Sequence, residues 1–374
     1  MASFTVKTSR LRDALTPLSQ ILPKKTHRDA LKCIRITANS GDVHSLQLMA
    51  TDLEVFAIST INDEEDIIVN NSGEFIVPAL TILEYLKAIE DETITISYIE
   101  DDDLVKVFAG QTEFEVGTQE LDEFPKFPSF PTDDDVGWIE LPIESLNTVL
   151  SKVLFSVADK GHPRFGALNA VCIESSKDKL SFMSTDQVRA SIAHFDISLP
   201  TEKQVLVDPK GLDIIPKLFS DNPKMHMASD DATIFCSDNT KLFIRNINGK
   251  FPSVANFIPT PGSYPNHFAV TPQELLKEVR KAALAADQNK TLKILLGKNK
   301  MQLSTKTRRE RRFAKIDVVI PYSGPETKFS INCKLLIDLL KAADTHEDIE
   351  IWFNGSTDAI HFKQDHYDHI VVPL

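Results

Sequence analysis

The same order of elements occurs three times along this chain of 374 residues. A short apolar strand, an amphipathic helix, an acidic turn and alternating strands follow one another from Phe75, from Val205 and from Phe329. A helix and two strands precede each of these segments, as in "TPQELLKEVRKAALAA" followed by "LKILLG" and "MQLST". Repeats at a regular spacing indicate duplicated structural units. The sequence therefore predicts an α+β protein of three tandem domains of about 120 residues, each with two helix-plus-strands units.

Proline-rich, acidic segments separate the three copies. "EFPKFPSFPTDDDVG" follows the first copy, and "KFPSVANFIPTPGSYPN" follows the second. Proline lacks a backbone N–H and interrupts regular elements, so such segments are typical joints. We therefore place the domains at residues 1–125, 136–255 and 263–374.

Local signals support helices in the third copy. Thr271 stands before Pro272, and Glu274 follows three residues after Thr271, which predicts a capping-box start. Further on, leucines at spacing i, i+1, i+4, i+5 predict a helix that is buried on one side. These leucines are Leu335, Leu336, Leu339 and Leu340.

The dipeptide Thr-Asp occurs at matching places in the first two copies. "LMATDLEVFAIST" contains Asp52, and "FMSTDQVRASIAH" contains Asp186. An aspartate could be catalytic, but recurrence at equivalent places fits a structural turn. We predict that each carboxylate accepts hydrogen bonds from nearby backbone N–H groups.

Composition excludes several classes of protein. No apolar run reaches the roughly 18 residues of a membrane span, and the start "MASFTVKTSR" lacks the apolar stretch of a signal peptide. The net charge of −13 argues against nonspecific coating of nucleic acid. We expect a cytoplasmic protein whose cysteines are free core thiols, because none forms a CxxC pair. They are Cys33, Cys172, Cys236 and Cys333.

Motifs for catalysis are missing. The sequence has no phosphate-binding loop, dinucleotide fingerprint, nucleophile elbow or HExxH motif. The acidic runs "NDEED", "EDDD" and "TDDDV" have the character of solvated loops. In "HFKQDHYDH", His361, His366 and His369 lie near Asp365 and Asp368. Metal ligation is one reading of this cluster, but the strand–turn–strand context favours a hairpin tip. We expect no catalytic residue, no metal and no cofactor.

Positive charge is concentrated near the first helix of every copy. Basic residues outnumber acidic ones between Lys7 and Arg28, between Lys152 and Arg164, and between Lys277 and Lys293. Such surfaces could attract a polyanion through its phosphates, or could be ordinary solvated helix faces. The run "KTRRERRFAK", from Lys306 to Lys315, could likewise touch nucleic acid or form an exposed hairpin. The apolar end "HIVVPL" could complete a core or line a groove for a peptide.

Together these segments resemble the bacterial sliding clamp, the β subunit of DNA polymerase III, over essentially the whole chain. The resemblance rests on the order of "FTVKTSRLRDALTPLSQIL", "ATDLEVFA", "FSVADKGHPRFGALNAV", "STDQVRAS", "VDPKGLDIIPKL", "INGKFPSVANFIP" and "HIVVPL". It implies three clamp domains, each with two βαβββ units, in a head-to-tail homodimer closed into a ring. Helices would line this ring and sheets would lie outside. The ring would enclose duplex DNA without reading sequence and would tether the polymerase, in association with the nucleoid during replication.

The resemblance also implies a pocket for short linear motifs of polymerase subunits and the clamp loader. Ala190 stands where the family usually has a larger aliphatic side chain, and the chain stops at Leu374, before two further family positions. The expected pocket residues are Leu168, Thr185, Arg189, Pro252, Phe257, Ile370, Val372, Pro373 and Leu374.

DNA contacts are expected from two sources. Lys24 or Lys25, Lys160 and Lys210 fall at or near DNA-contact positions of the family, and the remaining candidates come from the basic clusters. The full set is Lys24, Lys25, Arg28, Lys160, Arg164, Lys210, Lys281 and Lys290. The alternatives are a scaffold that binds peptides but no DNA, and a metal-dependent hydrolase suggested only by "EDDD" and "HFKQDHYDH".

Overall fold

The structure of the protein is a computed structural model. It describes residues 2–130, 137–159, 166–197, 199, 202–227, 231–259, 263–307 and 311–374. Within these ranges, no helix is both long enough and apolar enough to cross a membrane.

A βαβββ unit recurs six times along the described residues, which confirms the predicted α+β class. The first copy contains β1 (Ala2–Lys7), α1 (Thr8–Ser19), β2 (Cys33–Ser40), β3 (His44–Thr51), β4 (Val55–Ile61), an additional β5 (Ile67–Asn71), β6 (Gly73–Pro78), α2 (Ala79–Ala88), β7 (Thr93–Ile99), β8 (Leu104–Ala109) and β9 (Thr112–Gly117). The second contains β10 (Ile139–Glu140), α3 (Ile143–Val153), β11 (Val171–Ser175), β12 (Lys179–Thr185), β13 (Arg189–Asp196), β14 (Lys203–Val207), α4 (Pro209–Asp213), α5 (Ile215–Leu218), β15 (Lys224–His226), β16 (Ala232–Cys236) and β17 (Thr240–Arg245). The third contains β18 (Asn266–Val270), α6 (Pro272–Ala283), β19 (Thr291–Gly297), β20 (Lys300–Thr307), β21 (Arg312–Val319), β22 (Thr327–Asn332), α7 (Cys333–Ala342), β23 (Ile349–Phe353), β24 (Ile360–Gln364) and β25 (Tyr367–Val371).

The chain forms two compact units, each of which combines parts of two copies. The first unit comprises Met1–Asn147 and Lys210–Asn246, and the second comprises Thr148–Pro209 and Ile247–Leu374. The first has sheets ordered β5-β1-β7-β8-β9 and β10-β15-β16-β17-β4-β3-β2-β6. The second has sheets ordered β14-β11-β12-β13-β25-β24-β23-β18 and β21-β20-β19-β22. Antiparallel pairing of β4 with β17, and of β13 with β25, joins successive copies within one sheet.

Helices pack in pairs inside each unit. In the first unit α1 packs against α2, and in the second α6 packs against α7. The predicted leucine stripe of α7 is confirmed, since Leu336, Leu339 and Leu340 are buried and Leu335 is partly buried. These helices fold because burial of such a stripe stabilises them far more than helix propensity does.

The capping-box prediction for α6 is wrong in its side-chain contact. The helix begins at Pro272 after Thr271, as expected, but the Thr271 side chain makes no cap bond. Its hydroxyl donates instead to Oδ1 of Asp348, at 2.9 Å. A cap would need the Thr271 oxygen to accept from a backbone N–H of the first turn, but the side chain is turned towards Asp348, where donation to a charged carboxylate is favourable.

Both Thr-Asp turns form as predicted. Asp52 Oδ1 accepts from the backbone N–H groups of Glu54 and Val55 at 3.1 and 2.8 Å. Asp186 Oδ1 accepts from the two equivalent groups, at 3.1 and 3.0 Å. The residue after each aspartate has a left-handed backbone, with φ of 81° at Leu53 and 77° at Gln187. The carboxylate bonds hold this otherwise unfavourable conformation.

The cysteines are free, and three of the four are core residues. Cys33, Cys172 and Cys333 are buried, whereas Cys236 is half-buried. Burial raises the pKa of Cys33 to about 11 and that of Cys172 to about 12. These two thiols therefore stay protonated near neutral pH and behave as small apolar groups.

Candidate binding pocket and basic surfaces

An apolar cavity of about 610 Å³ opens in the second compact unit. Its walls come from the 3₁₀ turn Gly166–Asn169, the β12–β13 turn, the segment from Lys250 to Phe257 and the end of β25. Seven of the nine expected pocket residues line this cavity, and they are Leu168, Thr185, Arg189, Pro252, Phe257, Ile370 and Val372. Pro373 and Leu374 follow Val372 but are not among the lining residues. Residues more than 200 positions apart thus meet in one site.

Several lining residues were not expected from the sequence. They are Gly166, Ala167, Gln187, Lys250, Phe251, Ser253, Val254 and Ala359. The apolar, proline-stiffened segment "GKFPSVANFIP" was a signal for Phe251 and Val254. No comparable signal marks Ala359, which reaches the site from just before β24.

The cavity has a buried floor and exposed apolar edges. Leu168, Ala190 and Ile370 are nearly inaccessible to solvent. Phe257 is 65% exposed and Val372 is 44% exposed. Large exposed apolar side chains beside a concave apolar floor are the arrangement that anchors peptide side chains in protein interfaces.

Arg189 is the fixed charge of the pocket. Its Nε donates to Asp186 at 2.9 Å, and its Nη1 donates to Asp338 at 3.2 Å. Its guanidinium carbon lies 5.2 Å from the centre of the Phe155 ring. The side chain is only 10% exposed. Because these contacts fix the planar guanidinium, its orientation towards the cavity is set before any ligand binds.

Thr185 stabilises the turn from which Arg189 projects. Its hydroxyl donates to the Arg189 carbonyl at 2.7 Å and accepts from the Gln187 N–H at 3.1 Å. Its side chain therefore shapes the pocket wall through the backbone.

The apolar chain end both completes the core and lines the pocket. Ile370 pairs with Ala190 across the β13–β25 ladder, and Val371 is fully buried. Beyond the strand, Val372 N–H donates to the Val188 carbonyl at 2.9 Å, and Leu374 N–H donates to the Ser330 carbonyl at 2.8 Å. Two backbone bonds thus hold the end of the chain beside the cavity.

A neutral histidine lies behind Arg189. A hydrogen bond of 2.8 Å joins Nδ1 of His369 to the Ser191 hydroxyl, which also bonds Ser156 at 2.8 Å. The Phe155 ring stacks on this imidazole, with ring centres 5.4 Å apart. Burial, and to a lesser extent the Arg189 charge, lowers the pKa of His369 to about 3. His369 therefore carries no charge at neutral pH.

The predicted DNA contacts occupy different environments. Lys24, Lys25 and Arg28 are exposed between α1 and the 3₁₀ turn Asp29–Lys32, and Lys290 is exposed in the turn after α6. On α6, Lys281 is paired with Glu278 at 2.7 Å. Lys210 bonds the Asp52 carboxylate and donates to the Ile21 carbonyl at 2.6 Å. The other two candidates, Lys160 and Arg164, lie outside the described residues.

Part of the N-terminal basic cluster is neutralised. Lys7 lies 3.0 Å and Arg10 lies 2.5 Å from the carboxylate of Asp66. Burial alone would raise the pKa of Asp66, but the bonds from these two cations lower it. Lys7 and Arg10 therefore add little free positive charge, whereas Lys24, Lys25 and Arg28 are exposed in the loop after α1.

The C-terminal histidines do not gather at one point. His361 and His369 are buried on β24 and β25, whereas His366 lies in the turn between them, as the predicted hairpin tip requires. His361 bonds Asp368 at 2.7 Å. His366 instead approaches His194 and Asp196 of β13.

Comparison with known proteins gives a consistent result along the whole chain. Sequence profiles of the three domains of the DNA polymerase III beta subunit match this chain in order. The N-terminal domain profile matches residues 2–128, the central domain profile matches 140–253 and the C-terminal domain profile matches 258–373. The beta sliding clamp of Staphylococcus aureus is 25% identical over 394 residues, covering 100% of this chain and 99% of that protein. The beta sliding clamp of Haemophilus influenzae is 24% identical over 337 residues, covering 88% and 87%.

Solved structures share the fold. The DNA polymerase sliding clamp of Bacillus subtilis superposes with a TM-score of 0.89 at 20% identity, covering 100% of this chain and 99% of that one. The sliding clamp of Pseudomonas aeruginosa, solved with griselimycin bound, gives 0.88 at 19% identity with the same coverage.

Proposed function

The chain belongs to the family of bacterial DNA polymerase III β subunits, the sliding clamps, and we propose that it encloses duplex DNA as a ring-shaped homodimer and tethers the replicative polymerase through the Arg189 pocket. The family comprises non-catalytic processivity factors, and we assign this chain the same non-catalytic role. It would act in the bacterial cytoplasm, on DNA of the nucleoid, after a clamp loader has opened the ring. Tethering raises the effective concentration of the polymerase at the primer end.

The apolar pocket is the observation that carries this proposal. Its buried floor and exposed Phe257 suit apolar anchor side chains of a short peptide, and the fixed Arg189 suits a polar or acidic group beside them. Polymerase subunits and the clamp loader would present such motifs. Competition between them for one pocket would let the clamp serve different partners in turn.

DNA would be held by topology, with weak phosphate contacts and no reading of bases. The exposed Lys24, Lys25, Arg28 and Lys290 are proposed to face the duplex, together with Lys160, Arg164 and Lys281. The ammonium of Lys210 already bonds the Asp52 carboxylate and the Ile21 carbonyl, so we propose that it touches the duplex only when this ion pair opens. A small number of mobile cations keeps the phosphate contacts weak, which suits a ring that slides.

Two strands at sheet edges support closure by a second copy. The edge strand β9 carries Glu113 and Glu115, whose carboxylates bond Lys106 at 2.8 and 2.5 Å. The edge strand β21 carries the basic Arg312 and Lys315. Exposed edge strands present unpaired backbone groups and are usually covered. We propose that β9 of one copy pairs with β21 of the next, which gives the run from Lys306 to Lys315 a role.

Apolar exposure on β21 supports the same pairing. Phe313 is 63% exposed and Val319 is 87% exposed on this strand. Such side chains on an edge strand favour aggregation unless a partner covers them. A head-to-tail contact repeated twice closes a ring when its rotation is a half turn.

Retention on DNA tests the ring. With a clamp loader and ATP, the protein should stay on closed circular DNA in high salt and be lost when the circle is cut. Equal retention on both forms would refute enclosure.

A charge exchange tests the dimer contact. Glu115→Lys alone and Lys315→Glu alone should shift sedimentation towards the monomer, and the double exchange should restore the dimer. The matched control, Lys293→Glu, changes the same charge on β19, which is not an edge strand and does not neighbour β21, and should leave the dimer intact. Dimers in both single variants would exclude this pairing.

A further inference from the structure

Two histidines and an aspartate meet beside the last residues of β13. His194 and Asp196 lie on β13, and His366 lies in the turn between β24 and β25. One nitrogen or oxygen atom from each of the three residues lies within 4.8 Å of the other two. Imidazole and carboxylate groups are the preferred ligands of Zn²⁺ in sites with three protein ligands and one water.

Neighbouring residues orient the imidazole of His366. Its Nε2 lies 3.1 Å from the carboxylate of Asp365. Its Nδ1 consequently faces the group, at 3.5 Å from Asp196 and 3.4 Å from Nε2 of His194. A carboxylate on the far nitrogen of a metal-binding histidine fixes the ring and its tautomer.

A cation already approaches His194. The ammonium of Lys179 lies 3.3 Å from Nε2 of His194. Because an ammonium only donates, Nε2 is the acceptor, and the lone pair that a metal ion would use is engaged by Lys179. Lys179 is exposed and flexible, so its ammonium can be displaced. The remaining charged neighbour is Asp368, which adds negative charge near the imidazole of His194.

We propose that His194, Asp196 and His366 bind one divalent transition-metal ion of the Zn²⁺ class, which clips β13 to the β24–β25 hairpin. The ladder from Arg189 to Ala193 ends next to this group, where His194 N–H donates to the His366 carbonyl at 3.1 Å. The other end of the same ladder carries Arg189 and Ile370 of the pocket. The ion therefore fixes the register of the strand pair on which the pocket is built.

Metal titration of EDTA-treated full-length protein tests the clip. ZnCl₂ should bind at one ion per chain and raise the midpoint of thermal unfolding. CoCl₂ should bind with the visible absorption of a site containing nitrogen ligands. His194→Ala should weaken binding at least tenfold, because one of three protein ligands is lost. His366→Asn should do the same, and asparagine tolerates the left-handed φ of 51° at this position.

Two further variants separate the clip from unspecific binding. Lys179→Ala removes the competing ammonium and should tighten Zn²⁺ binding severalfold. The exposed His346 is the matched control, and His346→Ala should leave affinity unchanged. Unchanged affinity in both ligand variants would overturn the proposal. If the three residues bind a proton but no metal ion, the protein will show neither Co²⁺ absorption nor a Zn²⁺-dependent shift in the midpoint of thermal unfolding. That result would also overturn the proposal.

Discussion

Two equivalent strand pairs join successive copies of the repeat. One pair packs into an aromatic core, and the other lines the cavity. In the first unit β4 pairs with β17, and in the second β13 pairs with β25. Each junction begins with the same Thr-Asp turn. The register is also equivalent, since Thr51 pairs with Phe56 and Thr185 pairs with Ala190. Differences between the junctions therefore come from side chains on a common backbone.

Side-chain volume separates a core from a pocket. Phe56 packs edge-on against Phe127 at 5.2 Å and against Phe243 at 5.7 Å, and it is buried. In the second unit the corresponding positions are Ala190 and Ile370, and the space is the Arg189 cavity. One small residue on a duplicated junction thus leaves room that an aromatic ring fills in its counterpart.

The cation of the ion pair has a different origin at each of the two junctions. In the first, the turn supplies the carboxylate of Asp52 and the following copy supplies Lys210 from α4. In the second, the cation is Arg189, which follows the turn and bonds both Asp186 of the turn and Asp338 of α7. Both ion pairs connect a turn in the first βαβββ unit of one copy to a helix in the second βαβββ unit of the next copy. The second pair leaves a cation facing the pocket, which suits recognition of a partner.

Removing the aromatic filling should have the largest effect. Phe56→Ala leaves a cavity among Phe127 and Phe243, and we expect the free energy of unfolding to fall by about 3–5 kcal/mol. Chemical denaturation measures this change. Phe56→Leu is the control that keeps most of the apolar volume and should cost less. A loss below about 1 kcal/mol for Phe56→Ala would show that the first junction is not a packed core.

Filling the pocket should abolish partner binding with little effect on folding. Ala190→Phe copies Phe56 and places a ring in the cavity, so we expect at least a hundredfold loss of affinity, or about 2.7 kcal/mol. Fluorescence anisotropy with a labelled clamp-binding peptide of the replicative polymerase measures the affinity. Ala190→Ser, which changes polarity but hardly size, should bind much more tightly than Ala190→Phe. Full affinity in Ala190→Phe would place the peptide elsewhere.

Acid should weaken the second junction more than the first. His369 pairs with Ser191, whereas the equivalent pair in the first unit is Leu242 with Ala57. The unfolded chain binds a proton at this histidine near pH 6.5, but the folded protein does so only near pH 3. Between these values the unfolded state holds more protons. The free energy of unfolding therefore falls by about 1.4 kcal/mol for each unit of decreasing pH.

A double variant isolates this contribution. His369→Leu with Ser191→Ala copies the first junction, and going from pH 7 to pH 5 it should lose about 2 kcal/mol less than the parent. Urea denaturation at the two pH values measures the difference. An equal loss in both proteins would mean that other groups control the acid sensitivity.

Breaking the ion pairs should give the smallest effects and separate the two junctions by function. Asp338→Ala releases one side of Arg189, and we expect a loss of peptide affinity of about threefold to tenfold, equal to about 0.7–1.4 kcal/mol. Lys210→Ala, in the first unit, should leave peptide affinity unchanged and cost about 1 kcal/mol or less in stability. The same anisotropy assay compares them. Similar affinities for both variants would show that Asp338 does not position Arg189.

Local chemistry made part of this molecule predictable. The Thr-Asp turns formed as expected because their bonds join residues two or three positions apart. The α7 stripe was predictable because burial of one helical face leaves a periodic pattern. The predicted cap of α6 was wrong because the Thr271 hydroxyl bonds Asp348, which lies 77 positions further along the chain. A pattern shows which face of an element is buried but not which partner covers it.

The sequence by itself determined the threefold repeat and the βαβββ order, and it predicted seven of the sixteen residues that line the pocket, because these follow from periodicity and from segments that resemble a known family. Only the tertiary structure decided that Asp338 fixes Arg189 and that Phe155 and His369 lie behind it. It also showed that Phe56 fills the equivalent place in the first unit. These contacts join residues far apart in the chain, and their energies depend on burial and distance, which exist only once the strands have paired.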